Sequence, residues 1–435
     1  MRAAPVARSR RRHGVGAAPG RRTSARAGGR RAFLGGAAAG MALAAGCAVA
    51  PAVPASSASP ALGELQRRRL AFHLGVHALA VHDGGGRTRM PASDAPMALE
   101  RAPAEPPIRW RLDGIERDLD AYLARQPVAA LWIARGRTVL VARHRYDTTP
   151  AAWFLSNSMA KSVMSIGIGF ALAEGRIRSA DDPAAAYVPA LAGHAYGETS
   201  VGNLLRMASG VRFSERYDGR DDLARFSRDA ASVGIVAAAA RFDVREAPQG
   251  TRFHYASIES HVLSAVLRGA TGEGLSDWLA PRLWRPMGAQ ADAWWRTDPL
   301  GVERGGGFLS VQPGDWTRLG LLLAHGGRRP DTGREVLPPG FLEQSADARR
   351  VDPPFRPGAA GPLGYGRQFW LLPGPRRQFA LLGVYGQAVL VDPASNLTMV
   401  HLAVNASARP SDTSMARERS ALWQGVVASL AGGAA

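Results

Sequence analysis

The spacing of apolar residues changes along the chain and divides it into strand-rich and helical parts. Apolar side chains recur at helical intervals over Leu112–Leu123, which predicts a helix. Two short apolar runs follow, Ala129–Ala134 and Thr138–Ala142, and the glycine turn between them predicts a β-hairpin. A longer helix is predicted from about Ser158 to Glu174, with Gly175 as its C-cap.

The end of the chain returns to the strand pattern after a long helical stretch. Residues 180–300 read mainly as helices punctuated by Gly and Pro. The predicted strands and the closing helix are Phe379–Val384, Ala388–Val391, Thr398–Val404 and Leu422–Leu430. Strands on both sides of a helical insertion predict an α+β fold, in which helices flank an antiparallel sheet and an inserted all-α lobe lies across a cleft.

The first fifty residues have the order of an export signal. A twin-arginine pair, Arg30-Arg31, is followed by a weakly apolar run over residues 32–45 and then by small residues and prolines. We therefore interpret residues 1–50 as a signal peptide of the twin-arginine type and expect an exported protein, in the periplasm or outside the cell. The alternative is a disordered basic tail without a targeting function.

Cys47 leaves the mode of export processing open. The residues before it, Leu43-Ala44-Ala45-Gly46, resemble a bacterial lipoprotein cleavage box, except that Leu lies four residues before the cysteine instead of three. Ala48-Val49-Ala50 offers an ordinary cleavage site instead. A lipid anchor through Cys47 and a soluble exported product are both retained. Because Cys47 is the only cysteine, no intrachain disulfide is expected.

Composition indicates where the folded domain begins and argues against a nucleic-acid partner. Residues 51–107 are rich in Pro, Ala, Gly and Arg and are interpreted as a linker or N-terminal extension with one short helix near Leu62–Val81, so the folded domain is placed at 108–435. The formal charge is +18, but ten arginines and no acid fall within residues 1–31. The remainder carries only +8, with both signs interspersed. No nucleic-acid partner is expected.

The strongest chemical signal is Lys161, the only lysine of the chain. Arg serves at every other basic position, and Arg cannot replace a group that must lose its proton. Ser158 lies three residues earlier, on the same helix face, where the amine can reach its hydroxyl. A neutral lysine could then activate Ser158 as a nucleophile, and the N-terminus of the helix would favour the charge on an attacked carbonyl oxygen.

Other constellations are weaker. His73, His77 and His82 have spacings of four and five, yet no carboxylate or cysteine follows at ligand spacing, so no metal is expected. Gly305-Gly306-Gly307 is followed by no lysine and is interpreted as a tight backbone passage near the cleft, not as a phosphate loop. No organic cofactor is expected.

The string from Leu155 to Ser162, Leu-Ser-Asn-Ser-Met-Ala-Lys-Ser, resembles the serine motif of β-lactamase-related hydrolases. That superfamily includes class C β-lactamases, DD-peptidases, family VIII esterases and 6-aminohexanoate-dimer hydrolases. Stretches that fit the family in order are Asp181-Asp182-Pro183, Tyr187 to Leu191, Asn203 to Val211, Phe253-His254-Tyr255-Ala256-Ser257 and Gly383-Val384-Tyr385-Gly386-Gln387. The resemblance covers roughly residues 110–410 and favours the 6-aminohexanoate-dimer-hydrolase branch. It implies a serine β-lactamase/DD-peptidase-like fold.

The resemblance also implies roles for residues outside the serine motif. Tyr255 would share proton transfer with Lys161, as phenol or phenolate, and protonate the leaving group. Ser257 would orient the site as a polar partner. Gly386 would let the backbone approach substrate, with the N–H of Gln387 as second oxyanion donor beside that of Ser158. The resemblance further places Tyr385 beside the substrate, and Tyr217 is a candidate for the pocket wall.

One departure from the family bears on substrate. β-Lactamases and DD-peptidases usually carry Lys-Thr-Gly in the third motif, where this chain has Val384-Tyr385-Gly386. The cation and hydroxyl that would hold a penicillin carboxylate are missing, which favours small-molecule esters or small amides. A β-lactamase or penicillin-binding DD-peptidase is the alternative, and a non-catalytic exported binding protein is the third hypothesis.

Overall fold

The fold is known from a computed structural model that describes residues 59–77 and 86–431. Its helices are α1 (Glu64–Gly75), α2 (Leu119–Arg125), α3 (Ala160–Ala173), α4 (Val201–Leu205), α5 (Asp222–Val233), α6 (Ile235–Ala239), α7 (Ser257–Thr271), α8 (Leu275–Leu279), α9 (Pro313–Ala324), α10 (Phe341–Ala346) and α11 (Met415–Ala431). Its strands are β1 (Arg87–Met90), β2 (Glu100–Arg101), β3 (Arg109–Leu112), β4 (Ile115–Asp118), β5 (Val128–Arg135), β6 (Thr138–His144), β7 (Phe154–Leu155), β8 (Ala293–Arg296), β9 (Leu309–Val311), β10 (Gly364–Tyr365), β11 (Trp370–Leu371), β12 (Phe379–Gly383), β13 (Gln387–Asp392) and β14 (Leu397–Ala403).

The main sheet has the strand order β10-β11-β12-β13-β14-β5-β6-β2. Its pairs are antiparallel except for β2 with β6 at one edge. Every residue of β13 and β14 is buried, because helices cover both faces of the sheet. The predicted hairpin and the three predicted terminal strands are confirmed, and so is the α+β fold with an antiparallel sheet.

Different helices cover the two faces of this sheet. Helix α9 packs on β13, β14 and β5 from one side. On the other side, α2 and α11 enclose a core that includes Trp110, Tyr122 and Trp423, all almost inaccessible to solvent. The closing helix was predicted from Leu422; in the structure it begins earlier, at Met415.

The helical lobe lies between β7 and β8 in the sequence and consists of α3 to α8. Helix α3 is buried over most of its length, because its residues are apolar or small, and it packs against α7 and α8. A second, four-stranded sheet has the order β1-β8-β9-β7, and its strand β1 packs on α8 of this lobe. The predicted helical insertion is thus present, although residues 206–221 and 240–256 are largely irregular. Gly175, with φ of 68°, follows α3 as predicted.

The helix predicted over Leu112–Leu123 is wrong in its first half. Strands β3 and β4 form a hairpin there, with Leu112 opposite Ile115. The turn residues Asp113 and Gly114 both have positive φ, at 52° and 76°, as a tight hairpin turn requires. Helix α2 begins only after Asp118, whose carboxylate accepts a hydrogen bond from the Ala121 N–H as an N-cap.

The interpretation of residues 51–107 as a linker does not describe the part of that segment seen in the structure. Strand β1 pairs with β8, and β2 pairs with β6 of the main sheet. The side chains of Met90 and Met97 are fully buried, so these residues belong to the packed structure. The helix predicted near Leu62–Val81 is present as α1. The sequence did not indicate that these residues form strands, because strands such as Arg-Thr-Arg-Met are polar and pair with strands far away in the sequence.

Several expectations fall outside the described residues. The signal peptide of residues 1–50, Cys47 and His82 belong to this group. Within residues 59–77 and 86–431, no helix is long and apolar enough to cross a membrane.

Candidate active site

Ser158 and Lys161 lie at the start of α3, where a short 3₁₀ turn over Asn157–Met159 leads into the helix. The Lys161 ammonium group is 3.0 Å from the Ser158 hydroxyl oxygen. Lys161 is only 1% exposed and also contacts the Ser257 hydroxyl at 2.9 Å and the Gly306 carbonyl at 2.6 Å. The structure therefore brings together the serine, lysine and second serine that the sequence singled out.

The environment of Lys161 makes its neutral form more accessible than that of an ordinary lysine. Burial lowers the pKa of Lys161 from 10.5 to about 8, and the nearby Glu215 carboxylate opposes this shift only in part. An amine with such a pKa is partly deprotonated near neutral pH, whereas an ordinary lysine is not. Lys161 is thus able to accept a proton from Ser158.

The hydrogen-bond partners of Lys161 determine which of them faces the lone pair of its neutral amine. The Gly306 carbonyl can only accept, and the Ser257 hydroxyl donates its own proton to Glu215 Oε1 at 2.8 Å. Both groups therefore accept from Lys161. A neutral amine has two protons, which these acceptors use, and its lone pair is left for the Ser158 hydroxyl. The arrangement matches a general base acting on Ser158.

Tyr255 lines the same cavity as Ser158, and its hydroxyl is close enough to that of Ser158 to influence its own pKa. Its ring stacks on Trp370 with centroids 5.5 Å apart, and the Lys161 nitrogen is 5.3 Å from the ring centroid. Burial, with the Glu215 carboxylate as a smaller cause, raises the pKa of Tyr255. The phenol therefore stays protonated, so of the two forms left open by the sequence the geometry favours phenol over phenolate.

Glu215 is a site residue that the sequence reasoning missed. Its carboxylate accepts hydrogen bonds from the Ser257 N–H at 2.7 Å, the Ser257 hydroxyl at 2.8 Å and the Tyr217 hydroxyl at 2.6 Å. It thus fixes the rotamer of Ser257, which in turn contacts Lys161. Tyr217, which the sequence proposed as a pocket residue, lines the cavity beside it.

The backbone at the end of β12 lies directly against the nucleophile turn. A Cβ atom at Gly383 would lie 2.6 Å from the Ser156 carbonyl oxygen, so only glycine permits this approach. The Asn157 side-chain amide donates to the Val384 carbonyl at 3.2 Å. Gly383 and Val384 share the cavity wall with Ser158. The third motif is therefore next to the serine, as the resemblance implies.

The residues singled out within that motif face elsewhere. Tyr385 stacks under the Arg69 guanidinium, 3.6 Å from its ring centroid, and does not line the cavity. Gly386 has φ of 96°, and its carbonyl accepts from His401. Gln387 is fully buried, and its side chain donates to the Ala403 carbonyl. Of the third motif, Gly383 and Val384 line the cavity with Ser158 and Gln387 does not, which makes the Val384 N–H a better candidate than that of Gln387 for the second oxyanion donor.

A cavity of about 740 Å³ opens in front of Ser158. Its apolar wall is formed by Phe213, Pro362, Leu363, Trp370 and Leu382. Its charged residues are Glu215, Arg216, Arg409 and Arg419. Within the described ranges, no group of three or more His, Cys, Asp or Glu residues could hold a metal ion.

Fold and site together define a hydrolase with the β-lactamase and penicillin-binding fold. A family model described as "Beta-lactamase" matches residues 113–422. The chain is 30% identical over 315 residues to the 6-aminohexanoate-dimer hydrolase of Paenarthrobacter ureafaciens, which covers 69% of this chain and 79% of that protein. The chain belongs to the β-lactamase family.

Solved structures agree on the fold. A Bacillus anthracis protein provisionally assigned as a 6-aminohexanoate-dimer hydrolase superimposes with a TM-score of 0.69 at 19% identity, covering 82% of this chain and 93% of that one. EstCE1, described as a hydrolase with promiscuous acyltransferase activity, gives 0.54 at 18% identity, covering 69% and 93%. A penicillin-binding protein homologue from Caulobacter crescentus gives 0.53 at 17% identity, covering 71% and 94%.

Proposed function

We propose that the protein is a serine hydrolase that cleaves ester or small amide bonds through an acyl-enzyme. The observation that carries the proposal is the 3.0 Å contact between the Ser158 hydroxyl and a buried lysine whose other two contacts leave its lone pair free. Lys161 is the only lysine in the chain, and every other basic position is arginine. A purely structural cation could equally be arginine, so a structural role does not account for this lysine.

The reaction follows from the positions of the three side chains. Ser158 Oγ forms a bond to the substrate carbonyl carbon while its proton moves to Lys161. The Tyr255 phenol, which lines the cavity together with Ser158, gives a proton to the leaving oxygen or nitrogen as that bond breaks, and recovers one from Lys161. Water then attacks the acyl carbon and gives a proton to Lys161; the bond to Ser158 Oγ breaks, Ser158 takes that proton back from Lys161, and the acid is released. Backbone N–H groups of Ser158 and Val384 are suited to hold the oxyanion.

The nature of the third motif favours esters and small amides over β-lactams. Val384 and Tyr385 stand in place of the family's lysine and threonine; Val384 lines the cavity but offers no cation, and Tyr385 does not line it. The 30% identity to a 6-aminohexanoate-dimer hydrolase makes the amide of 6-aminohexanoate the first amide to test. Apolar residues such as Phe213 and Trp370 are suited to an aliphatic substrate.

The test is labelling of the purified protein with a fluorophosphonate probe, with p-nitrophenyl ester turnover measured on the same sample. A single adduct on Ser158, absent from Ser158→Ala, together with ester turnover is expected. A folded protein with neither adduct nor turnover would instead support a binding protein. Turnover of nitrocefin at a rate similar to that of the esters would favour the β-lactamase alternative. Ser162→Ala is the matched control, because Ser162 is on the same helix but donates to the Gln368 carbonyl.

We further propose export through the segment of residues 1–50. The support is the twin-arginine pair followed by an apolar run and small residues. Expression in a bacterium with and without a functional twin-arginine pathway tests it, since the mature protein should reach the periplasm only when that pathway works. Metabolic labelling with a fatty-acid analogue, compared between wild type and Cys47→Ser, separates a lipid-anchored product from a soluble one.

A further inference from the structure

Two further cavities adjoin each other at Gln290, and their volumes are about 450 and 500 Å³. Trp132 lines the first cavity, and Trp153 and Trp294 line the second. None of the described residues that line these two cavities lines the cavity of Ser158. We call the two cavities together the tryptophan groove. It is a site distinct from the one that contains the nucleophile.

The tryptophans of the groove are only partly buried, and two of them are fixed by hydrogen bonds. The Trp132 indole N–H donates to His144 Nε2 at 2.9 Å. The Trp153 indole N–H donates to the Asp292 carbonyl at 2.8 Å. Gly314 beside Trp132 has no side chain that could cover it, and even a Cβ there would lie 3.9 Å from the ring. Because their ring nitrogens are engaged, these rings offer a ligand flat apolar surfaces.

Gln290, at the junction of the two cavities, offers a hydrogen-bond donor. Its side-chain oxygen accepts from the Arg318 guanidinium at 2.8 Å. A guanidinium can only donate, so the carboxamide oxygen faces Arg318 and the NH₂ group faces away from it. Asp315 fixes Arg318 in turn, with a contact of 3.0 Å. Because the Gln290 side chain is exposed, its amide protons are accessible to a ligand.

Gln312 offers the opposite polarity in the second cavity. Its amide nitrogen donates to the Ala151 carbonyl at 3.0 Å. A carbonyl can only accept, so the NH₂ group of Gln312 faces Ala151 and the carboxamide oxygen faces away from it. The groove therefore combines an oriented donor and an oriented acceptor with apolar ring surfaces.

The charges along the groove are already balanced. Four of the five charged side chains among its described residues pair with an opposite charge. The pairs are Arg318 with Asp315, Glu100 with Arg137, Arg101 with Glu105 and Asp292 with Arg89. The fifth, Arg87, lies over the Trp294 ring, 4.6 Å from its centroid. Charges that already have partners give no preference for a charged ligand, so the groove is suited to a neutral polar one.

We propose that the tryptophan groove binds a neutral oligosaccharide. A pyranose ring has an apolar face of C–H groups, which packs on an aromatic surface, and a rim of hydroxyls that both donate and accept hydrogen bonds. The tryptophans supply the surfaces, and Gln290 and Gln312 supply a donor and an acceptor for the rim. Two adjoining cavities suit a chain of several sugars. The inference goes beyond the proposed hydrolase function, because it gives the protein a means of attachment to a polysaccharide.

The experiment measures the binding of chitohexaose, cellohexaose and maltohexaose to the purified protein by isothermal titration calorimetry. At least one of them is expected to bind, and its identity shows which linkage and which ring substituent the groove takes. Trp153→Ala is expected to raise the Kd about tenfold or more, because it removes a ring surface. Gln290→Ala is expected to raise it about fivefold, because it removes a donor. Ser158→Ala is expected to keep the wild-type Kd, because Ser158 is outside the groove.

Gln344→Ala is the matched control for Gln290→Ala, since Gln344 is an exposed glutamine that does not line the groove. Absence of binding of all three oligosaccharides at millimolar concentration overturns the proposal, and so does a Kd that both groove variants leave unchanged. Binding of decaproline instead of the sugars, weakened by the same two variants, assigns the groove to a proline-rich peptide and also overturns it. If Trp153→Ala does not fold, Gln290→Ala decides, because Arg318 keeps its contact with Asp315 in that variant.

Discussion

The depressed pKa of Lys161 predicts how turnover depends on pH. With a pKa of about 8, roughly a tenth of the molecules have a neutral Lys161 at pH 7 and roughly nine-tenths at pH 9. Only the neutral amine can take the Ser158 proton, so kcat/KM should rise about tenfold over this interval, with a midpoint near pH 8. A lysine with an ordinary pKa would place the midpoint above pH 10.

Replacement of Glu215 by glutamine should move this midpoint. Ser257 separates the two groups, at 2.8 Å from Glu215 and 2.9 Å from Lys161, so the charges are at most about 6 Å apart. At an effective dielectric constant near 20, a unit pair at this distance is worth about 3 kcal/mol, and solvent at the half-buried Glu215 reduces it. The carboxylate stabilises the ammonium form, so its removal lowers the pKa of Lys161. We expect the midpoint of Glu215→Gln to fall by about one to two pH units.

The assay is the kcat/KM profile of a p-nitrophenyl ester between pH 6 and 10 at constant ionic strength. Because the chain has one lysine, protein labelled with ¹³C at lysine Cε gives one side-chain signal, and its titration reports Lys161 directly. Glu116→Gln is the control, since Glu116 is an exposed carboxylate paired with Arg111. A wild-type midpoint above pH 10, or a midpoint that rises in Glu215→Gln, would refute the assignment of Lys161 as the base.

Three further changes test the site and its frame. Tyr255→Phe should lower kcat/KM by about a hundredfold or more without changing the melting temperature, because it removes a proton donor; an equally active variant would argue against that role. Gly386→Ala should lower the free energy of unfolding by about 2–4 kcal/mol in urea titrations, since φ is 96°, whereas Gly175→Ala in open space should cost about 1 kcal/mol. Asp315→Ala should cost about 3–5 kcal/mol by the same measurement, because it leaves the buried Arg318 unpaired; a loss below 1 kcal/mol would contradict this.

The reactive pair could be predicted from the sequence because it is local. Ser158 and Lys161 are three residues apart, and helical geometry alone brings them together. Glu215 could not be found in this way. It binds Ser257, 42 residues later in the chain, and only the fold of the helical lobe brings them into contact.

The third motif, residues 383–387, shows that the sequence could predict the stretch but not which of its residues line the cavity. The sequence placed the stretch on a sheet strand, whereas in the structure Val384–Gly386 form a turn between β12 and β13. Within the stretch the resemblance singled out Gln387. Tyr385 and Gly386 both have positive φ, at 64° and 96°, and the chain reverses between β12 and β13. This reversal leaves Val384 on the cavity side and Gln387 in the core. A side chain such as Tyr385 gives no signal of positive φ in advance, because aromatic residues rarely adopt it.

Helix α1 has a consequence for any attempt to shorten the protein. Gln66 donates to the Val404 carbonyl, and Arg69 donates to that of Asn405 and stacks on Tyr385. All of these contacts hold the loop beside the third motif, yet α1 precedes the family match, which begins at residue 113. A fragment trimmed to the family boundaries would keep Ser158 and Lys161 but lose the clamp on the backbone opposite them. Recombinant versions, chimaeras and tags should therefore leave the chain from residue 59 onward untouched.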